Sequence, residues 1–150
     1  MYQIEDLHQS VNDVYEQLDG GKMPEDQAIE ILLNCCQEFI LRNPMPFTSD
    51  ADVNMTSYKG QVLSTYQELC DIFGPPDDGP NDLQGDKVTC CWRLKFADGT
   101  VASIYDWKTG ETPFGGYHWH IGGYDIKAVN RVKRTMESAR RVDRISIEKK

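Results

Sequence analysis

Lys87-Val88-Thr89-Cys90-Cys91-Trp92-Arg93-Leu94-Lys95-Phe96, then Ala97-Asp98-Gly99-Thr100, then Val101-Ala102-Ser103-Ile104-Tyr105-Asp106-Trp107, is the stretch whose reading decides the fold. Val88, Cys90, Trp92, Leu94 and Phe96 alternate with Lys87, Thr89, Cys91, Arg93 and Lys95, the period-two pattern of a strand with one buried face. The Ala97-Asp98-Gly99-Thr100 segment supplies a turn, so residues 101–107 return as the antiparallel partner. Tyr117-His118-Trp119-His120-Ile121 alternates again after the Gly/Pro-rich residues 110–116 and adds a third antiparallel strand.

Helical signals flank this sheet. Asp125 is placed to cap a last helix whose Ile126, Val129, Val132 and Met136 share one face, which would cover one side of the strands. Beyond residue 140 the periodicity fades, and Val142, Ile145 and Ile147 read as an edge strand or a subunit contact. Upstream, Thr65-x-x-Glu68 has the form of a capping box that opens a short helix through Leu69 and Phe73, ended by Gly74-Pro75-Pro76.

The first 45 residues form a separate pattern. Ile4, Leu7, Val11, Val14 and Leu18 fall at helical spacing until Gly20-Gly21. Met23-Pro24-Glu25-Asp26 then starts a second helix, with Pro at the first helical position, through Ile29, Leu32, Leu33, Cys36, Phe39 and Ile40. Residues 43–57, rich in Pro, Ser, Thr, Asp and Asn, read as an irregular linker. The expectation is an α+β protein: an N-terminal helical hairpin over 1–45, then over 56–150 a small antiparallel β-sheet covered by a short helix and a C-terminal helix with a basic end.

Charge is unevenly distributed over the 150 residues, whose net value is −8. Residues 127–150 hold nine basic and three acidic side chains, or +6, leaving seven basic and 21 acidic, or −14, on the other 126. The positive segment calls for an internal partner, a subunit contact or an anionic ligand. No apolar run approaches the ~20 residues that span a bilayer, and the acidic start Glu5-Asp6 lacks a secretory n-region, so a cytoplasmic location is expected. Five cysteines, as Cys35-Cys36, Cys70 and Cys90-Cys91, make no disulfide framework and read as packed thiols.

No constellation of residues carries catalysis. Cys91 and His120 on neighbouring strands would make a conceivable nucleophile and base, without an activating motif. His118-x-His120 sends two imidazoles to one face, yet a metal needs a third or fourth ligand and the other histidine is His8 in the first helix, so no metal or cofactor is expected. No phosphate-binding glycine motif occurs. Aromatic density is greater: Phe96, Tyr105, Trp107, Tyr117, Trp119 and Tyr124 lie within thirty residues. Alternation sends Tyr105 and Trp107 to one face and Asp106 to the other. A stacking aromatic, Asp106 for ribose or base donors, and arginines of the last helix for phosphates would make a pocket for a nucleotide-like anion, against the plain reading of Phe96 and Trp107 as core.

From Tyr58 to Met136 the chain resembles small phage and prophage proteins, through Thr65-Tyr66-x-Glu68-Leu69, Phe73-Gly74-Pro75-Pro76, Asp86-Lys87-Val88, Phe96-x-Asp98-Gly99-Thr100-Val101-Ala102, Ile104-Tyr105-Asp106-Trp107-Lys108 and Trp119-His120-Ile121-Gly122-Gly123. The family that this stretch resembles is that of phage counter-defence proteins of the Thoeris anti-defence sponge type, and the N-terminal hairpin lies outside the resemblance. The resemblance implies a homo-oligomer in the host cytoplasm that sequesters a small cyclic nucleotide signal of cyclic ADP-ribose type, or a cyclic oligonucleotide, without degrading it. It also implies a clamp to which Phe96, Asp106, Arg131 and Arg134 correspond; Trp107 joins them as a further stacking candidate. Asp106 departs from the pattern, since an acid repels a pyrophosphate, and Arg131 and Arg134 stand three residues apart. The alternative is an anti-CRISPR-type inhibitor whose acidic surface blocks a nucleic-acid-binding effector by protein contact. Neither reading involves a membrane or direct nucleic-acid binding.

Overall fold

The structure is a computed structural model that describes residues 4–80, 82 and 87–148. Parts of the expected 75–85 loop, Asp86 of the quoted motif, and the last two lysines of the basic segment lie outside those residues. The chain divides into two compact units, residues 1–44 and 45–150. Among the described residues no helix is long and apolar enough to cross a membrane.

The first unit pairs α1 (Ile4–Asp19) with α2 (Glu25–Arg42). Gly21, at φ +65°, makes the turn between them, as a residue without Cβ does at no steric cost. Pro24 sits at the N-cap of α2, one residue before the expected position, and Glu25 and Asp26 occupy the positive end of the helix. Val14 and Ala28 are buried where the helices meet.

The second unit is an α+β fold on a five-stranded antiparallel sheet: β1 (Phe47–Thr48), β2 (Ser57–Ser64), β3 (Cys91–Phe96), β4 (Val101–Tyr105) and β5 (Tyr117–Gly123), in the order β1-β3-β4-β5-β2. Trp92 faces Ile104, Ile104 faces Ile121 and Trp119 faces Val62, so the apolar positions of four strands share one side. Over that side lie α3 (Tyr66–Phe73), through Leu69 and Phe73, and α4 (Lys127–Glu148), through Ala128, Val129, Val132 and Met136. The Trp92 and Trp119 rings meet edge to face at 5.4 Å, an arrangement worth about 0.5–1.5 kcal/mol beyond the area it buries.

Four expectations are corrected. The linker over 43–57 is in part structure: β1 pairs with β3 and the Ala51 amide donates to the Arg93 carbonyl. The hairpin strand begins at Cys91 rather than Val88, because the amides of Thr89 and Cys90 are taken by the Asp106 carboxylate. Only half of the capping box forms: Thr65 Oγ1 accepts from the Glu68 amide at 3.1 Å, while the Glu68 carboxylate turns to Arg140 and Ser64. Residues 140–148 continue α4 instead of making an edge strand, since an exposed helical turn needs no apolar periodicity. The Asp125 cap forms as expected, accepting from the Lys127 amide at 2.7 Å.

Candidate functional site

Among the described residues, α3 and α4 both pack their apolar stripes on the first face of the sheet, and neither covers the second. Alternation places Cys91, Arg93, Ser103, Tyr105, His118, His120, Gln61 and Tyr58 there, with Cys91, Tyr105, His120 and Gln61 in one row across four strands. His120 sits at the centre of a ring cluster. Tyr58 meets it at 5.1 Å and Tyr105 at 5.6 Å between centroids, both edge-on, and Trp107 lies nearly parallel to it at 6.4 Å. Tyr58 pairs with Gly122, which has no side chain to hold that ring away from His120. Tyr58 and Trp107 are 54% and 41% exposed, so they present ring surface to solvent that the core tryptophans do not.

Two cations border this surface. The ammonium groups of Lys87 and Lys108 stand 5.8 and 5.9 Å from the Trp107 ring centroid, at cation–π range. Both lysines are on the surface, where they can turn to an anion. Lys108 holds a left-handed backbone, φ 55°, uncommon for a residue with a Cβ, and its amide donates to the Lys87 carbonyl at 2.6 Å. That bond ties the two lysine-bearing segments together beside the ring.

Asp106 builds this corner without facing it. Its fully buried carboxylate accepts from the Thr89 amide (2.8 Å) and hydroxyl (2.7 Å), the Cys90 amide (3.0 Å) and the Thr109 hydroxyl. All its acceptor capacity is used within the chain, so it positions the 107–109 turn and is not a ligand for ribose. The Trp107 amide, in turn, donates to the Tyr117 hydroxyl at 3.2 Å.

The five residues expected to form the clamp are not brought together. Phe96 is 2% exposed and packs in the core against Phe47. Arg131 spends its fork on Asp98, at 3.0 and 2.8 Å, while the Thr100 amide and hydroxyl, with Arg131 behind them, draw the Asp98 carboxyl down to about 2. Arg134 is exposed on α4, the helix on the other side of the sheet from Trp107. Of the five, Trp107 alone is at the ring cluster. Tyr58, Lys87 and Lys108 are not marked as ligand-binding by the sequence, which offers His120 only as a base or metal ligand; the parity of Tyr105, Trp107 and His120 was a readable signal for part of the group.

The catalytic and metal readings gain no geometry. Cys91 and His120 are on β3 and β5, not on neighbouring strands, and Tyr105 of β4 stands between them, about 10 Å of sheet. Burial, then the Asp78 charge, pushes the Cys91 thiol up to about 12, so the thiolate that would attack is scarce at neutral pH. His118 and His120 share the face, but no group of three His, Cys, Asp or Glu able to hold a metal occurs among the described residues.

Past His118 the surface turns round the β2 edge into a groove of about 440 Å³ lined by Gln61, Leu63, Lys133, Glu137 and Arg140. Arg140 is anchored there by Glu68 at 2.6 and 2.9 Å and by the Leu63 carbonyl at 2.8 Å. The quoted motifs also have structural work: Gly122 and Gly123 allow close approach of Ser103 and Ala128, and the Gly74 carbonyl accepts from the Trp92 indole at 2.9 Å. No family model, curated protein or solved structure matches the chain, so the phage resemblance rests on those motifs alone.

Proposed function

We propose that this chain is a binding protein that captures an anionic, nucleotide-type ligand intact, its base stacked on the Tyr58, Tyr105, Trp107 and His120 face and its phosphates met by Lys87 and Lys108. One observation carries the reading: a partly exposed tryptophan with two ammonium groups within 6 Å, on the sheet face opposite α3 and α4. Stacking accepts any base and cations accept any phosphate, the combination used by proteins that hold nucleic-acid components without reading an edge. The phage resemblance narrows the ligand to a cyclic nucleotide immune signal of cyclic ADP-ribose type, sequestered in the host cytoplasm. A carboxylate beside the phosphates, the objection to Asp106, does not arise, because that group faces inward and is fully hydrogen-bonded.

The test is a panel of cyclic ADP-ribose isomers and cyclic dinucleotides, followed by tryptophan emission, then heat release and mass spectrometry of the bound compound. Trp92 and Trp119 are buried, so quenching should come from Trp107. Trp107→Ala should weaken binding by about 1–3 kcal/mol, roughly 5- to 150-fold, whereas Arg131→Ala should leave it unchanged. Failure of every compound to quench or to be recovered would remove the nucleotide reading; a chemically altered product would remove the non-catalytic one. Unchanged affinity in Trp107→Ala would move the site elsewhere.

A further inference from the structure

Helix α2 carries two apolar stripes. One, including Ala28, Ile31, Leu32, Cys35 and Phe39, is buried or half-buried within the hairpin. The second, Ile29, Leu33, Cys36 and Ile40, points away from it: Ile29 is 52%, Leu33 65% and Ile40 39% exposed, and Cys36 is exposed too. Its spacing is four, three, four, the alternation of a coiled-coil seam in which side chains of one helix enter holes on another. A surface helix with one partner needs one stripe, and the second is a row of large hydrophobics left in water.

We infer that this second stripe is the contact between two copies of the chain, α2 against α2 of the partner, antiparallel about a twofold axis. The spacing is the first reason. Four-three-four reads the same in both directions, so the stripe is complementary to itself reversed: Ile29 comes opposite Ile40 of the partner subunit, and Leu33 opposite Cys36 of the partner subunit. That is the isologous pattern a twofold dimer requires.

The flanking charges are the second reason, and they set the orientation. With Leu33 and Ile40 as the a positions and Ile29 and Cys36 as the d positions, Glu25 falls at g and Glu30 and Gln37 at e. A parallel pair would set Glu25 of each chain against Glu30 of the other, two like-charge contacts. The antiparallel pair sets Glu30 against Gln37, a neutral contact. Residues 1–44 carry nine acidic and two basic side chains, so two hairpins also repel at long range. Attraction through the seam and repulsion around it together mean that salt tightens the dimer, the reverse of a contact between opposite charges.

Sedimentation equilibrium of the full chain over a concentration series tests the seam. The expected result is a species of two 17.1 kDa chains at high concentration that dissociates on dilution. Leu33→Asp should abolish it with unchanged helical circular dichroism, since this side chain is exposed in the single chain; Leu63→Asp, exposed on β2, should not. Gln37→Lys should tighten association several-fold by facing Glu30 of the partner subunit, and Gln37→Glu should weaken it. One-chain mass throughout, or a dimer indifferent to Leu33→Asp, overturns the seam. A dimer that loosens with salt overturns it in favour of oppositely charged surfaces. A seam-dependent dimer indifferent to both Gln37 variants overturns the antiparallel orientation.

Discussion

Asp106 shows how one residue can matter to a surface it never touches. Its carboxylate is buried with no ion pair among the described residues, and it is tolerated because four donors, two amides and two hydroxyls, converge on its oxygens. Three of those donors come from Thr89 and Cys90, ahead of β3, and one from Thr109, beyond β4. The acid therefore closes the end of the hairpin and fixes the turn bearing Trp107 and Lys108. Asp106→Ala removes the acceptor from the Thr89 and Cys90 amides, which share Oδ1, and from the Thr89 and Thr109 hydroxyls, which share Oδ2. Leaving buried donors unmatched costs about 1–3 kcal/mol each, so the variant should lose at least about 2 kcal/mol in urea unfolding. It should also lose nucleotide-type quenching at concentrations where its folded fraction is still complete. If stability falls but affinity per folded molecule is retained, Asp106 holds the fold and not the site.

At the scale of elements, close approach between β5 and α4 decides how well the sheet is covered. A Cβ at Gly123 would run into the Ala128 side chain in the first turn of α4, and the Val101 carbonyl is only 3.1 Å from it. Gly123→Ala should push the helix start outward and cost about 1–3 kcal/mol, as overpacked contacts do; a thermal melt unchanged from wild type would show that α4 shifts freely. The hairpin of β3 and β4 and the Asp125 cap were legible because each carries its own local signal, alternation or capping chemistry. Strand β2 was not, since Val62 and Ser64 are its buried residues, a bulge interrupts the register between Tyr58 and Gly60, and an edge strand needs no apolar partner on its outer side. The candidate site was half legible for a related reason. Parity groups Tyr105 with Trp107, but it cannot say which sheet face α4 will take, nor bring Tyr58 and His120 together from β2 and β5. The clamp failed on the same point: Phe96 has the parity of the covered face, and Arg131 answers to Asp98 at the turn.

Over the whole molecule, the basic C-terminal segment in an acidic chain is explained in part by partners within the second unit. Arg131 takes Asp98 and Arg140 takes Glu68, each an acid distant in sequence and each with its carboxyl held below the ordinary range. For Glu68 the Arg140 hydrogen bonds lead, opposed by burial and assisted by the Ser64 hydroxyl. A depressed carboxyl adds stability at pH above its unfolded value, about 4.3, and that stability is lost as pH falls through the folded value. The pair is partly solvent-exposed, so its worth at neutral pH is modest, about 1 kcal/mol. Glu68→Gln should therefore lie about that far below wild type at pH 7, by thermal unfolding followed through tryptophan emission; all three tryptophans belong to residues 45–150, so this probe reads that unit alone. The gap should narrow once pH passes below about 4 and close when the wild-type carboxyl is itself protonated in the fold. A gap constant from pH 7 to pH 2 would mean that glutamine costs packing or a neutral hydrogen bond, and that the Arg140 contact contributes through geometry and not through charge.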